Sequence, residues 1–363
     1  MILTFPHMGN TYITAKVLLD ELGVSYVIPP LDNQEALSIG ARYAPELACL
    51  PLKINLGNYI KAYEQGADTI LITGGCGPCR FGYYSEIEQG ILRDLGIKMD
   101  VIALEKPDAG LLELMRRIYR LSGYEKNVNR VIGAVKKAAR ISALVDELER
   151  QTFRTRPRET AKGSTDRIYS AFRENVLNAK GYDGIKKLIG ETSEKLSAIK
   201  VNRNQTPLKI GIVGEIYTTI DSATSFNLDI KLGNLGVEVD RAVTVSGWII
   251  DHMFKKALRL PYDTGYVDAA KPYLKTMIGG HAQETVGHSA QYADRGFDGI
   301  IQIYPLSCMP EIVAQSVLPG LSRDKDIPVM TLIIDEMSGE AGYMTRIEAF
   351  LDVLDRRRER SIG

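Results

Sequence analysis

The chain has 363 residues, of which 45% are hydrophobic and 25% charged, and its 45 basic side chains are matched by 45 acidic ones. A neutral balance gives no bulk field to draw the chain to nucleic acid or anionic lipid. No apolar run approaches the ~20 residues of a membrane span. The N-terminal stretch Met1-Ile2-Leu3-Thr4-Phe5-Pro6-His7 lacks the basic segment of a signal peptide, so the expected compartment is the cytoplasm, where thiols stay reduced.

Short apolar runs alternate with amphipathic stretches, the pattern of an α/β protein. Residues 2–5 read as a first strand. Asn10 then caps a helix that runs to Leu22 and stops at Gly23, and residues 24–28 form the next strand. A turn-rich stretch precedes a helix over 52–65, a strand over 69–73 ending in Gly74-Gly75, a helix over 86–95 and a strand over 99–104. Residues 111–200 are helical in pattern and rich in Lys, Arg and Glu, with a basic, turn-rich loop at 155–165. The second half reads as a strand at 210–213, a helix at 226–235 and strands at 237–242 and 299–304. A helical segment at 311–317, a strand at 329–334 and a final helix from Thr345 complete it; Thr345-Arg346-Ile347-Glu348 has the form of a capping box.

The halves look duplicated. Leu22-Gly23-Val24 matches Leu235-Gly236-Val237, Gly57 and Gly66 match Gly287 and Gly296, and Asp68 and Ile70 match Asp298 and Ile300. The fold expected is two similar open parallel-sheet α/β domains, Rossmann- or flavodoxin-like, with a helical insertion. Their limits are 1–110, 111–206 and 207–363. The insertion reads either as a solvated bridge or as a docking surface.

The chain holds four cysteines, Cys49, Cys76, Cys79 and Cys308. Cys76 and Cys79 form a C-x-x-C at a strand-to-helix junction, where free amides and the helix dipole favour thiolate. Gly74, Gly75 and Gly77 let the backbone approach an inorganic centre closely, and Ser307 adjoins Cys308 in the other half. Cys49 precedes a helix, and Pro310 places Ser307 or Cys308 near a helix cap. Spacing leaves four readings open: a [4Fe–4S] cluster, which tolerates scattered ligands; a zinc site, which usually draws on two close pairs; a dithiol redox pair; and unlinked thiols.

Polar candidates lie beside the expected strand ends: His281 and Glu284 after Gly279-Gly280, Glu215 after the strand at 210–213, and Glu340, with Asp335 and Glu336, after the last strand. Each carboxylate could donate protons or hold substrate, or could simply cap a helix. His7 is a weaker candidate, and His252 reads as a packed or surface histidine. No G-x-x-x-x-G-K-[ST], no G-x-G-x-x-G after the first strand and no H-E-x-x-H occurs.

Three segments carry a resemblance: Gly299 through Ile312 with Tyr304-Pro305-Leu306-Ser307-Cys308-Met309-Pro310-Glu311, Asp335 through Phe350, and Gly279-Gly280-His281 with Glu284. They resemble the 2-hydroxyacyl-CoA dehydratase family. Cys49-Leu50-Pro51-Leu52-Lys53 and Gly74 through Gly82 narrow the resemblance to its stand-alone, activase-related members, labelled CoA protein activases. The resemblance implies tandem α/β domains with one [4Fe–4S] cluster between them. It also implies an ATP-hydrolysing iron–sulfur activase as electron donor, a place in anaerobic metabolism, a second copy or a related subunit as further partner, and a small-molecule or acyl-CoA substrate. Relatives ligate the cluster with three cysteines and leave one iron open; the four here point instead to a closed cluster and electron transfer. The expectation is a low-potential electron acceptor or reductase with Cys49, Cys76, Cys79 and Cys308 as metal ligands, lined by Gly74, Gly75, Gly77 and Ser307 and served by His281, Glu284, Glu215 and Glu340. The alternatives are a radical 2-hydroxyacyl-CoA dehydratase subunit and a zinc-stabilised scaffold without activity.

Overall fold

The structure is a computed structural model that describes residues 1–30, 33–72, 79–104, 111–248 and 265–362. Cys76, Gly74, Gly75, Gly77 and His252 lie outside the described residues. The elements in the first part of the chain are β1 (Leu3–Thr4), α1 (Thr11–Leu22), α2 (Asn33–Tyr43), α3 (Leu50–Glu64), β2 (Thr69–Ile72), α4 (Tyr84–Asp94) and β3 (Asp100–Ala103). Then come α5 (Leu111–Leu121), α6 (Val128–Thr155), α7 (Ser164–Asn178) and α8 (Gly181–Ser197). The last part holds β4 (Lys209–Gly214), α9 (Ile216–Ile220), α10 (Leu228–Asn234), β5 (Glu238–Arg241), α11 (Val245–Trp248), α12 (Gly265–Ala270), α13 (Ala282–Asp294), β6 (Gly299–Pro305), α14 (Met309–Asp324), β7 (Val329–Ile334) and α15 (Glu340–Ile362). No helix among the described residues is long and apolar enough to cross a membrane.

The chain divides into two compact units, Met1–Val145 with Asn175–Ile189, and Asp146–Glu174 with Gly190–Gly363. The helical stretch expected as an insertion is shared between them, its helices α6, α7 and α8 each contributing residues to both units.

The first unit carries a parallel sheet in the order β1-β2-β3. The strand expected at 24–28 is a single parallel bridge between Leu3 and Tyr26. Leu3 N–H donates to Ser25 O at 2.9 Å and Val27 N–H to Leu3 O at 2.7 Å, but Pro6 on one side and Pro29-Pro30 on the other lack the amides to extend the ladder. Asn10 and Gly23 bound α1 as the sequence indicates, with Gly23 left-handed at φ 71°. Helix α2 falls in the stretch read as turns. It packs backbone to backbone on α3, since a Cβ on Gly57 would sit 1.8 Å from Ala36 O. Every residue of α3 from Leu50 to Ile60 is buried, so this helix has no polar face.

The second unit carries a fully parallel sheet in the order β5-β4-β6-β7, and β6 is buried along its whole length. Here the C-terminal half of α6 is anchored by a buried ion pair between Glu149 and Arg241, whose guanidinium also donates to Thr219 O and Ile220 O at 3.3 Å. One expectation is corrected. The last helix begins at Glu340, not Thr345; Thr345 lies inside α15 with its hydroxyl bonded to Ala341 O at 3.1 Å, so the capping-box pattern caps nothing.

The residues matched between the halves do the same local work. Gly23 and Gly236 are both left-handed, and the following Val24 and Val237 amides donate to Leu19 O and Leu232 O, each at 3.0 Å. Asp68 accepts from Ile2 N–H at 2.8 Å, and Asp298 accepts from Lys209 N–H at 2.7 Å, each clamping the start of the neighbouring strand. A Cβ on Gly287 of α13 would lie 1.9 Å from Tyr266 O of α12, repeating the contact that Gly57 makes with α2.

Candidate functional site

Two of the cysteines stand at one end of the first unit. Cys49 is the N-cap of α3, with Pro51 in the first turn, and Cys79 is the N-cap of a short 3-10 turn, Arg80–Tyr83, that leads into α4. Their segments are tied together twice. Arg80 Nη1 donates to Leu47 O at 3.0 Å, and the Tyr84 hydroxyl makes a close hydrogen bond with Cys49 Sγ. Phe81 packs edge-on against the Tyr84 ring at 5.1 Å.

One turn beyond Tyr84, Glu88 is buried to 1% exposure. Desolvation lifts its carboxyl well above the usual range, and only a hydrogen bond from Asn55 of α3 opposes this. Glu88 Oε1 and Asn55 Oδ1 have no hydrogen-bond partner among the described residues.

The second unit gathers its polar groups at the carboxyl ends of β4 and β6, the edge where open parallel sheets bind ligands. Cys308 is the N-cap of α14, with Pro310 in its first turn, after a left-handed Ser307 at φ 64°. A positive φ at a serine is sparsely populated, a feature that composition does not reveal. The Gly279-Gly280-His281 loop lies directly on this cap: a Cβ on Gly280 would be 2.5 Å from Pro310 Cγ. His281 then opens α13, with its Nε2 3.8 Å from a Glu284 carboxylate oxygen. Glu215 caps α9, accepting from the Tyr217 and Thr218 amides at 3.0 Å, while its own amide donates to Ile303 O of β6 at 3.1 Å.

Glu311, in the first turn of α14, completes the group. It is fully buried and accepts from Gln302 Nε2 at 2.9 Å and from the Thr285 hydroxyl at 3.0 Å. Burial pushes its carboxyl up to about 7; the Gln302 and Thr285 bonds oppose this, and the Glu215 and Glu284 carboxylates add to it. Glu215 is also raised, chiefly by desolvation, with its two amide bonds and the field of His281 opposing. Burial raises Tyr304 to about 12, with Glu311 and Cys308 contributing. His281, Glu215, Glu284 and Glu311 thus form one electrostatically linked group beside Cys308.

Of the remaining candidates, Glu340 pairs at the surface with Lys231 of α10 and stands apart from this group. Asp335 closes a turn, accepting from Ser338 Oγ at 2.7 Å and from Met337 N–H at 3.0 Å. His7 is a packed interior histidine, with Nδ1 3.1 Å from Asn33 Nδ2 and its ring against Tyr12. Sequence reasoning missed Glu311, Tyr84 and the Asn55–Glu88 pair. Glu311 stands in the segment that carries the family resemblance, three residues after a capping cysteine, but neither place reveals its burial.

All three described cysteines lie at helical N-termini, where unpaired amides and the dipole suit thiolate sulfur. The donor set therefore fits a thiolate-ligated centre. Among the described residues alone, no three His, Cys, Asp or Glu side chains gather in metal-ligating geometry. No family model and no curated protein matches the chain.

Proposed function

We propose that the protein is an iron–sulfur electron carrier of the 2-hydroxyacyl-CoA dehydratase type, in which Cys49, Cys76, Cys79 and Cys308 ligate one [4Fe–4S] cluster. The observation that carries this reading is the convergence of the Cys49 and Cys79 segments at adjoining helical N-termini, joined by Arg80 and Tyr84. Cys308 at the N-cap of α14 supports it. When bound, such a cluster takes up and passes on one electron at low potential. The chain's own part is to hold thiolates at helix ends and to keep two carboxyls raised by burial, Glu88 and Glu311, in the interior. Under this reading the electron comes from an ATP-hydrolysing iron–sulfur activase in anaerobic, cytoplasmic metabolism. The paired glycines and aspartates further support descent of both units from one flavodoxin-like α/β domain.

Anaerobic purification with iron and sulfide analysis and electron paramagnetic resonance tests the proposal. The expected result is about four irons and four sulfides per chain, depleted by substitution of any of the four cysteines. Zinc without iron, as a structural scaffold would bind, contradicts it, as does iron that depends only on Cys76 and Cys79.

The group around Glu311 favours a second reading, a radical 2-hydroxyacyl-CoA dehydratase component that takes substrate at an open iron. A carboxyl near 7 can donate a proton to a leaving hydroxyl, and His281, Glu215 and Glu284 stand beside it. A cluster that survives Cys49→Ser and then binds an acyl-CoA would support this reading over the first.

A further inference from the structure

We propose that the turn between α5 and α6, with the outer faces of the two helices beside it, docks a different protein that presents carboxylates around an apolar centre. Neither the cysteines nor the iron–sulfur reading enters this inference. It makes a docking face of a stretch that the sequence also allowed as a solvated bridge.

The face is apolar where a solvated helix is polar. Met115 and Tyr119 stand one turn apart on α5, Val128 and Ile132 one turn apart on α6, and Tyr124 lies in the turn between them. These five side chains are each between 41% and 63% exposed. The α6 stripe continues at the same four-residue step into the exposed Lys136 and Arg140. The helix packs instead through Ala134, Ala138 and Ile141, which are buried.

Tyr119 and Tyr124 form the centre. Their rings meet edge to face at 5.4 Å. Tyr124 holds a left-handed backbone at φ 64°, directly after Gly123 at φ 67°, and its amide donates to Tyr119 O at 2.9 Å. That conformation is costly for a bulky residue, and the ring it displays remains largely in solvent. A tyrosine pair already ordered in this way loses little freedom on docking. Tyrosine, methionine and arginine together are the composition of binding hot spots.

Charge selects the occupant. Residues 111–140 hold eight basic side chains and two acidic ones, in a chain that is balanced as a whole. Both acids are engaged, Glu113 with Arg116 and Arg117, and Glu125 with Arg130. Lys126, Lys136 and Arg140 have no carboxylate partner among the described residues. An acidic rim on the partner complements them. A second copy meeting this face with its own would set like charges opposite each other.

The test joins lysines to carboxylates with a water-soluble carbodiimide, in the full chain mixed with extract of the cells that produce it, and identifies the joined peptides by mass spectrometry. The expected result is Lys126 and Lys136 joined to Asp or Glu of one other protein. Purified, that protein should bind the chain in calorimetry. Tyr124→Gly should weaken this binding about thirty-fold without lowering the unfolding temperature of the chain, since glycine relieves the left-handed strain. Lys136→Glu should slow association about ten-fold at low salt, an effect that fades as salt rises. No joining at Lys126 and Lys136 while other lysines react overturns the proposal, and so does joining only between two copies of the chain. Binding that neither variant alters overturns it as well. Phosphatidylglycerol vesicles and an oligothymidylate are run alongside. Binding of either that both variants abolish, with no protein joined, assigns the face to lipid or nucleic acid and overturns the proposal.

Discussion

Each unit keeps a buried glutamate on the helix that follows its central strand, and each holds it from the same place. The register that pairs Gly57 with Gly287 also pairs Asn55 with Thr285. Asn55 bonds Glu88, and Thr285 bonds Glu311. The surroundings differ. Glu88 has desolvation acting on it with only Asn55 in opposition, which raises its carboxyl well above the usual range. Glu311 has two donors, Gln302 and Thr285, and two carboxylates, Glu215 and Glu284, in its field, and it titrates at about 7. Two buried glutamates, each bonded from the helix that carries a close-packed glycine, thus differ in what offsets their burial. The difference lies in the partners rather than in the backbone.

The largest expected effect comes from the anchorage of α6. In the second unit it rests on the buried Glu149–Arg241 pair, and in the first on the partly exposed Lys137–Glu21 pair. Glu149→Ala leaves the Arg241 charge buried and should cost about 3–5 kcal/mol in denaturant unfolding. Lys137→Ala, at a solvent-exposed pair, should cost far less. Equal costs would erase the contrast. Next come the glycine contacts. Gly57→Ala and Gly287→Ala both drive a methyl into a carbonyl oxygen, and each should destabilise by roughly 3 kcal/mol. A tolerated substitution at one site alone would break the correspondence of the units.

The two acids separate in their pH dependence. Both carboxyls bind their protons more tightly folded than unfolded, so each contribution is complete below the unfolded value and is lost as pH rises. For Glu311 the loss runs from about 4.5 to about 7 and amounts to roughly 3 kcal/mol. Glu311→Gln should therefore flatten the fall in stability between pH 5 and 7 and stabilise the protein at pH 8. The slope that remains belongs to Glu88, Glu215 and Glu149, all raised by burial. Glu88→Gln should gain stability progressively across the whole neutral range. Thermal unfolding from pH 5 to 8 distinguishes the two, and identical profiles would contradict the assigned difference. The smallest effect is expected at Glu340, where Glu340→Gln should cost less than about 1 kcal/mol and leave bound iron unchanged.

Strands and caps were legible in the sequence because they rest on local chemistry. The 329–334 run is β7, Gly23 stops α1, and Cys49 and Cys308 each stand at the N-cap of a proline-started helix. Helices α2 and α13 were not legible. Glycines that permit close backbone packing, Gly40 and Gly57 in one pair and Gly287 in the other, interrupt the periodic signal. Helix α3, buried all round, has no stripe to detect. At the site, His281, Glu284 and Glu215 could be found because they follow glycines or strand ends. Glu311 and Glu88 could not, because a glutamate early in a helix reads as an ordinary capping residue until its burial is known. Glu340 drew notice for its position after the last strand, yet an ion pair with Lys231 occupies it.

The central claim is that the four thiols hold one cluster, and Cys308 tests it most directly, as the ligand contributed by the second unit. The deciding measurement is iron and acid-labile sulfide per chain in anaerobically purified wild type and Cys308→Ser. Loss of most iron and of the reduced-state paramagnetic signal in Cys308→Ser, with unchanged thermal unfolding of the metal-free protein, is the predicted result. Full iron retention in Cys308→Ser, or zinc in place of iron in the wild type, would contradict it.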